Sequence, residues 1–99
     1  MIEGVVPKGF TGLHGAAFFG IVEVVPALLA MKEWDINATD TMGRTALAWA
    51  AIRGNEGIVK ILLQQTEVKV DTTDIEYGRT PLLWATNSGY EGVVKLLLE

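Results

Sequence analysis

The stretch Gly43-Arg44-Thr45-Ala46-Leu47-Ala48-Trp49-Ala50-Ala51-Ile52-Arg53-Gly54 decides the architecture, because it has a counterpart on either side. The triplet Gly-x-Thr recurs upstream as Gly9-Phe10-Thr11 and downstream as Gly78-Arg79-Thr80, and a second glycine follows each at the same offset: Gly20, Gly54 and Gly89. Thr11 and Thr45 stand 34 residues apart and Thr45 and Thr80 stand 35 apart, intervals that the second glycines keep. A fixed period of this size marks stacked units whose apolar faces are buried only by their neighbours. A stack of that kind has no deep central cavity, so function is expected on an extended surface.

Within one period the local signals place two helices. Thr45 and Thr80 stand where an N-cap hydroxyl is wanted, and Pro81 occupies the first helical position, where its missing donor costs nothing. The segment 46–53 is short and rich in alanine, and Gly54 can take the left-handed conformation that closes it. A second helix is predicted from Ile58, Val59, Leu62 and Leu63, matched by Val24, Val25, Leu28 and Leu29 upstream and by Val93, Val94, Leu97 and Leu98 downstream. These apolar pairs form the expected seam of the core. Helices this short are marginal alone, so the stack must hold them. Pro26 falls a few residues into the first copy's second helix, whose start is therefore expected to be irregular. Between helices run Asp35-Ile36-Asn37-Ala38-Thr39-Asp40 and Lys69-Val70-Asp71-Thr72-Thr73-Asp74, short, β-leaning and rich in turn formers. They predict a projecting turn or hairpin, with one more residue at the third copy's tip, so that Ile75, Glu76 and Tyr77 reach farther.

Thr11-Gly12-Leu13-His14-Gly15-Ala16-Ala17, Thr45-Ala46-Leu47-Ala48-Trp49-Ala50-Ala51 and Thr80-Pro81-Leu82-Leu83-Trp84-Ala85-Thr86 resemble the Thr-Pro-Leu-His-x-Ala-Ala signature of the ankyrin repeat. The Trp-Ala-Ala variant is similar to the long arrays at the C-terminal end of NACHT-type signalling ATPases. The tetratricopeptide repeat shares the period but not the pattern, since its Trp-x-x-Leu-Gly-x-x-Tyr spacing is absent. The resemblance implies an all-α ankyrin-repeat solenoid: three helix-turn-helix repeats, at about 9–42, 43–77 and 78–99, with connecting β-hairpin loops in a single domain over 1–99. Two departures stand out. The loops from Leu29 to Asp40 and from Leu63 to Asp74 are about one residue longer than the family's, and the Gly-Ala usual after the second helix is missing.

The resemblance also assigns His14, the only histidine, a structural bond to the neighbouring hairpin, a bond that Ala48 and Leu83 cannot make at their positions. Trp49 and Trp84 are expected to pack between repeats. Asn37-Ala38-Thr39 matches a glycosylation sequon but coincides with the family's structural asparagine.

Composition narrows the function. Of the 99 residues 49% are hydrophobic, enough for a continuous core, and there is no apolar run of membrane-spanning length and no secretory leader pattern. No membrane partner and an intracellular, cytoplasmic location are expected. The absence of cysteine removes disulfides, thiolate chemistry and cysteine-ligated zinc. A net charge of −4 argues against a nucleic-acid partner. No phosphate loop, carboxylate pair or nucleophile–base arrangement emerges, so no catalytic, cofactor or metal site is expected.

By the resemblance, another protein binds through the hairpin tips and the exposed, concave face of the first helices. Carried onto this sequence, that surface comprises Lys8, Phe10, Thr41, Met42, Arg44, Glu76, Tyr77 and Arg79 from the hairpins. Phe18, Phe19, Ile52, Arg53, Asn87 and Ser88 join it from the helix ends. Arg44, Tyr77 and Arg79 are expected to project into solvent and to contribute little to stability. An alternative function is a structural spacer in a larger scaffold. Neither end carries a polar cap, so the chain is expected to be a piece of a longer array and to self-associate through its ends.

Overall fold

The computed structural model describes residues 11–31 and 35–99. Helix α1, Gly12–Phe19, is followed by a 3-10 turn, Val22–Val24, and by α2, Val25–Met31. Counting each repeat from here on with the loop that leads into its first helix, so that Asp40 belongs to the second and Asp74 to the third, the second repeat supplies α3, Ala46–Arg53, and α4, Glu56–Leu63; the third supplies α5, Pro81–Ser88, and α6, Glu91–Leu98. The helices form two layers: α1 packs on α3 and α3 on α5, while α2 packs on α4 and α4 on α6. No helix among the described residues is long and apolar enough to cross a membrane.

The first helices start and stop where the punctuation demanded. Thr11, Thr45 and Thr80 hold extended backbone, and their hydroxyls accept the N–H of His14, Ala48 and Leu83. At the other end, Gly20, Gly54 and Gly89 cap α1, α3 and α5 in the left-handed conformation. Gly54 is required twice over. Its φ is +71°, and a side chain there would stand 2.9 Å from the Tyr90 ring, which the third repeat lays across it. The two-residue connection Gly54-Asn55 folds α4 back on α3, and the Asn55 side-chain amide donates to the Ala17 carbonyl of the preceding repeat at 2.6 Å.

Pro26 has the expected effect. Where the later repeats run an unbroken helix from Glu56 or Glu91, the first has a 3-10 turn and then an α-helix with Pro26 at its second residue, where the absent N–H breaks no ladder. The seam is continuous through Val25, Ile58, Val59, Leu62 and Val93, all buried together with Leu13, Leu47 and the small residues Ala17, Ala50, Ala51 and Ala85. Two seam residues lie on the surface: Val24, on the outward side of the first repeat, and Leu98 at the last turn of α6.

The connecting loops are tight hairpin turns, with no strand formed on either side among the described residues. Asp40 N–H donates to the Arg44 carbonyl and Asp74 N–H to that of Arg79, closing each loop. The donors at the tips are then taken by side chains. Asp40 Oδ1 accepts from Met42 N–H and Arg44 N–H, and Asp74 Oδ1 from Tyr77 N–H and Arg79 N–H. Carboxylates that consume the loop's own N–H groups leave no ladder to extend. A single backbone bond, Ile75 N–H to the Met42 carbonyl at 2.8 Å, joins one loop to the next. Asn37 stitches the longer connections together: its amide donates to the Glu67 carbonyl and accepts from Lys69 N–H, a structural use of the sequon asparagine.

Leu62 lies at the centre of the seam with no exposed surface. Leu62→Ala should lower the unfolding free energy by about 2–5 kcal/mol, read as a fall in the urea midpoint, because it removes buried methyl groups and leaves a cavity in the seam.

Candidate functional site

The hairpin loops and the ends of the first helices line one face, and the side chains along it form a connected series across all three repeats. Phe19 meets Phe18 edge-on at 5.0 Å between centroids, and Phe18 meets Trp49 at 5.2 Å with Arg53 over its ring. The Arg44 guanidinium stands 4.9 Å from the Trp49 ring and 5.0 Å from that of Trp84. Arg79 then covers Trp84 and Tyr77, and these two rings meet edge-on at 5.6 Å. Cations over indole faces and edge-to-face rings are mutually attractive arrangements, so the ridge is held by its own members.

Charge fixes the centre of this ridge. Arg44 Nε donates to Asp74 Oδ2 at 3.3 Å, and Nη2 lies 3.7 Å from Glu76 Oε1. The same Asp74 oxygen accepts from Trp84 Nε1 at 3.1 Å, as Asp40 Oδ2 accepts from Trp49 Nε1 at 2.8 Å. Burial pushes the Asp74 carboxyl up, but the Arg79 and Tyr77 N–H groups, then Arg44 and Trp84, outweigh it and hold the group below its ordinary value of 3.8. On the other side of the second repeat, His14 Nδ1 accepts from Thr11 N–H, so its Nε2 carries the proton and donates to the Arg44 carbonyl at 2.9 Å. That is the structural role the signature histidine implied.

Arg44 therefore requires a correction. Expected in solvent, it is 8% exposed, enclosed by two indoles and paired with Asp74. Its role is to join the second repeat to the third. Of the other expected contact residues, Thr41, Arg53, Phe19, Glu76, Tyr77, Asn87 and Ser88 are exposed, while Phe18, Met42, Ile52 and Arg79 are half-buried. Phe18, Phe19, Arg53, Tyr77 and Arg79 come together through the ring series, and Glu76 joins through Arg44. Thr41, Ile52, Asn87 and Ser88 enter none of these ring or ion-pair contacts. Lys8 and Phe10 lie outside the described residues.

Sequence reasoning leaves two features out of the expected surface. Ile75 is 74% exposed at the tip of the longer loop, beside Tyr77 at 57%, with Phe19 at 73% at the far end of the ridge. Asp40 and Asp74 are buried organisers of the loops. The signal for them was present, since Asp, Arg and Trp each recur once per period at matching places: Asp40, Arg44 and Trp49, then Asp74, Arg79 and Trp84.

The repeated caps, the two helix layers and the loop geometry place the chain in a family. Residues 8–99 match the model of ankyrin repeats, in three copies. The chain belongs to the ankyrin-repeat family. Similar proteins include Palmitoyltransferase AKR1 of Mortierella alpina, 42% identical over 57 residues, which cover 58% of this chain and 10% of that protein. Another is Ankyrin repeat domain-containing protein SOWAHB of Homo sapiens, 31% identical over 71 residues, covering 67% of this chain and 9% of that protein. The chain thus spans about a tenth of the length of these relatives.

Arg44→Met should destabilise by about 3 kcal/mol in urea unfolding, because the Asp74 carboxylate stays buried without its cation, whereas Tyr77→Ala should change stability by no more than about 0.5 kcal/mol. Because the folded-state pKa of Asp74 is lowered, its ionised form contributes stability that is fully present above the ordinary carboxylate value and is lost as pH falls through the folded value. The stability gap between the parent chain and Asp74→Asn, measured from urea midpoints at pH 7, 5 and 3, should be constant down to about pH 5 and shrink below about pH 4.

Proposed function

We propose that the chain is a protein-binding module whose contact surface is this ridge of loop tips and first-helix ends. The observation that carries the proposal is the exposure of Phe19, Ile75 and Tyr77 beside a row of side chains already ordered by mutual stacking. Aromatic and arginine side chains held in place lose little entropy on contact, and these are the types enriched at the energetic centres of interfaces. Ankyrin repeats in general mediate contacts between proteins, and nothing in the ridge is arranged for bond-making chemistry. The palmitoyltransferase name belongs to a protein of which this chain matches a tenth. We assign the chain itself a binding role, not a catalytic one.

A second reading, a structural segment within a longer repeat array, is favoured by the exposed apolar residues Leu83 and Leu98 on the third repeat. The same surface could bring two copies together. A pull-down with the immobilised chain separates the readings. A binding module should retain a partner that is lost when Phe19, Ile75 and Tyr77 are changed to Ser, with the melting temperature within a few degrees of the parent. A spacer should retain nothing other than copies of itself.

A further inference from the structure

Each repeat presents a downstream side to the one after it, and position by position the third repeat's downstream side is an uncovered counterpart of the second's. Arg44 of the second repeat is answered by Asp74 of the third, whereas Arg79, its counterpart, stacks on Tyr77 and Trp84 and has no carboxylate partner among the described residues. Gly43 is covered by Ile75, and its counterpart Gly78 faces open space. Gly20 is covered by Asn55 and Gly54 by Tyr90, and the third of the series, Gly89, again faces open space. Ala48 is 2% exposed under the third repeat, while Leu83 at the same place is 48% exposed.

From these four matched positions we infer that the downstream side of the third repeat is a docking site for a further repeat carrying an aspartate at the place of Asp74 and a tryptophan at that of Trp84. The aspartate would pair with Arg79 as Asp74 pairs with Arg44. The tryptophan would bring Arg79 the next repeat's indole, as Trp84 comes to Arg44, beside the Trp84 and Tyr77 rings it already meets. Without the carboxylate, covering Arg79 would bury an unpaired charge, so the ladder of Asp, Arg and Trp selects its occupant as well as holding it. The selection runs against a second copy of this chain docked head to tail. At the two required places the first repeat carries Val6 and Gly15, which offer neither carboxylate nor indole. The inference rests on the array reading and adds to it the chemistry of the neighbouring repeat.

The test appends a second copy of residues 65–99 directly after Glu99, which reproduces the spacing between Arg44 and Asp74 for Arg79 and the new aspartate. The extended chain should gain helix in proportion to its added length and raise the urea midpoint by at least about 0.5 M. Arg79→Met, or Asp→Asn at the appended aspartate, should each remove that rise, and the two together should remove no more than either alone. An appended copy carrying Val and Gly at the Asp and Trp positions should give no rise. A rise that survives Arg79→Met would overturn the ladder while leaving the array reading standing. An appended repeat that neither folds nor raises the midpoint would overturn both. Self-association of the unmodified chain that Arg79→Met abolishes, followed by sedimentation, would overturn the exclusion of a second copy.

Discussion

The structure depends on one residue reaching in two directions. The Arg44 carbonyl accepts the His14 imidazole of the first repeat, and the Arg44 guanidinium lies between Trp49 and Trp84 while donating to Asp74 of the third. Two-turn helices have almost no stability of their own, and a chain of three repeats has only two junctions at which to gather it. Both junctions pass through Arg44. The seam of Val25, Ile58, Val59, Leu62 and Val93 supplies most of the apolar burial, but it is non-directional, and aliphatic side chains alone tolerate sliding of one repeat over another. A guanidinium between two rings and against a buried carboxylate does not, so the polar cluster sets register where the seam sets affinity.

The same interaction shapes the candidate surface. With the indole N–H groups tied to Asp40 and Asp74, the two tryptophans are held, and the rings that flank them, Phe18 at one end and Tyr77 at the other, are placed against fixed neighbours. Apolar side chains at the rim, Phe19 and Ile75, stand out from that ordered row. The residues at the centre of the ridge hold repeats together, and the proposed partner surface falls to those at its edges.

Much of the fold was legible because its signals are local. Threonine hydroxyls, left-handed glycines and the proline in the first copy's second helix act within a turn of where they stand, and each did what its chemistry required. The turns are legible from their Asn, Asp and Gly residues, whereas the capture of the loop N–H groups by Asp40 and Asp74 is not, because it depends on how the carboxylates fold inward. Arg44 was misplaced for a related reason. An arginine at a loop tip belongs in solvent unless a carboxylate and two aromatic faces converge on it, and here all but Trp49 come from 30 or more residues away. The recurrence of Asp, Arg and Trp at matched places in successive periods could have revealed it; read one period at a time, it does not. The exposed Ile75 was likewise visible as part of a longer tip, but not as the most exposed large apolar side chain among the described residues.

The energetic coupling between Arg44 and Asp74 is what fixes the second repeat on the third. A double-mutant cycle with Arg44→Met, Asp74→Asn and the pair, read from urea unfolding at pH 7, isolates that coupling from the cost of either change alone. The double variant is expected to be less destabilised than the sum of the singles by more than about 1 kcal/mol, with unfolding still a single transition. Additive effects, with a coupling near zero, would contradict it and leave the junction between the second and third repeats to the apolar seam and the remaining loop contacts.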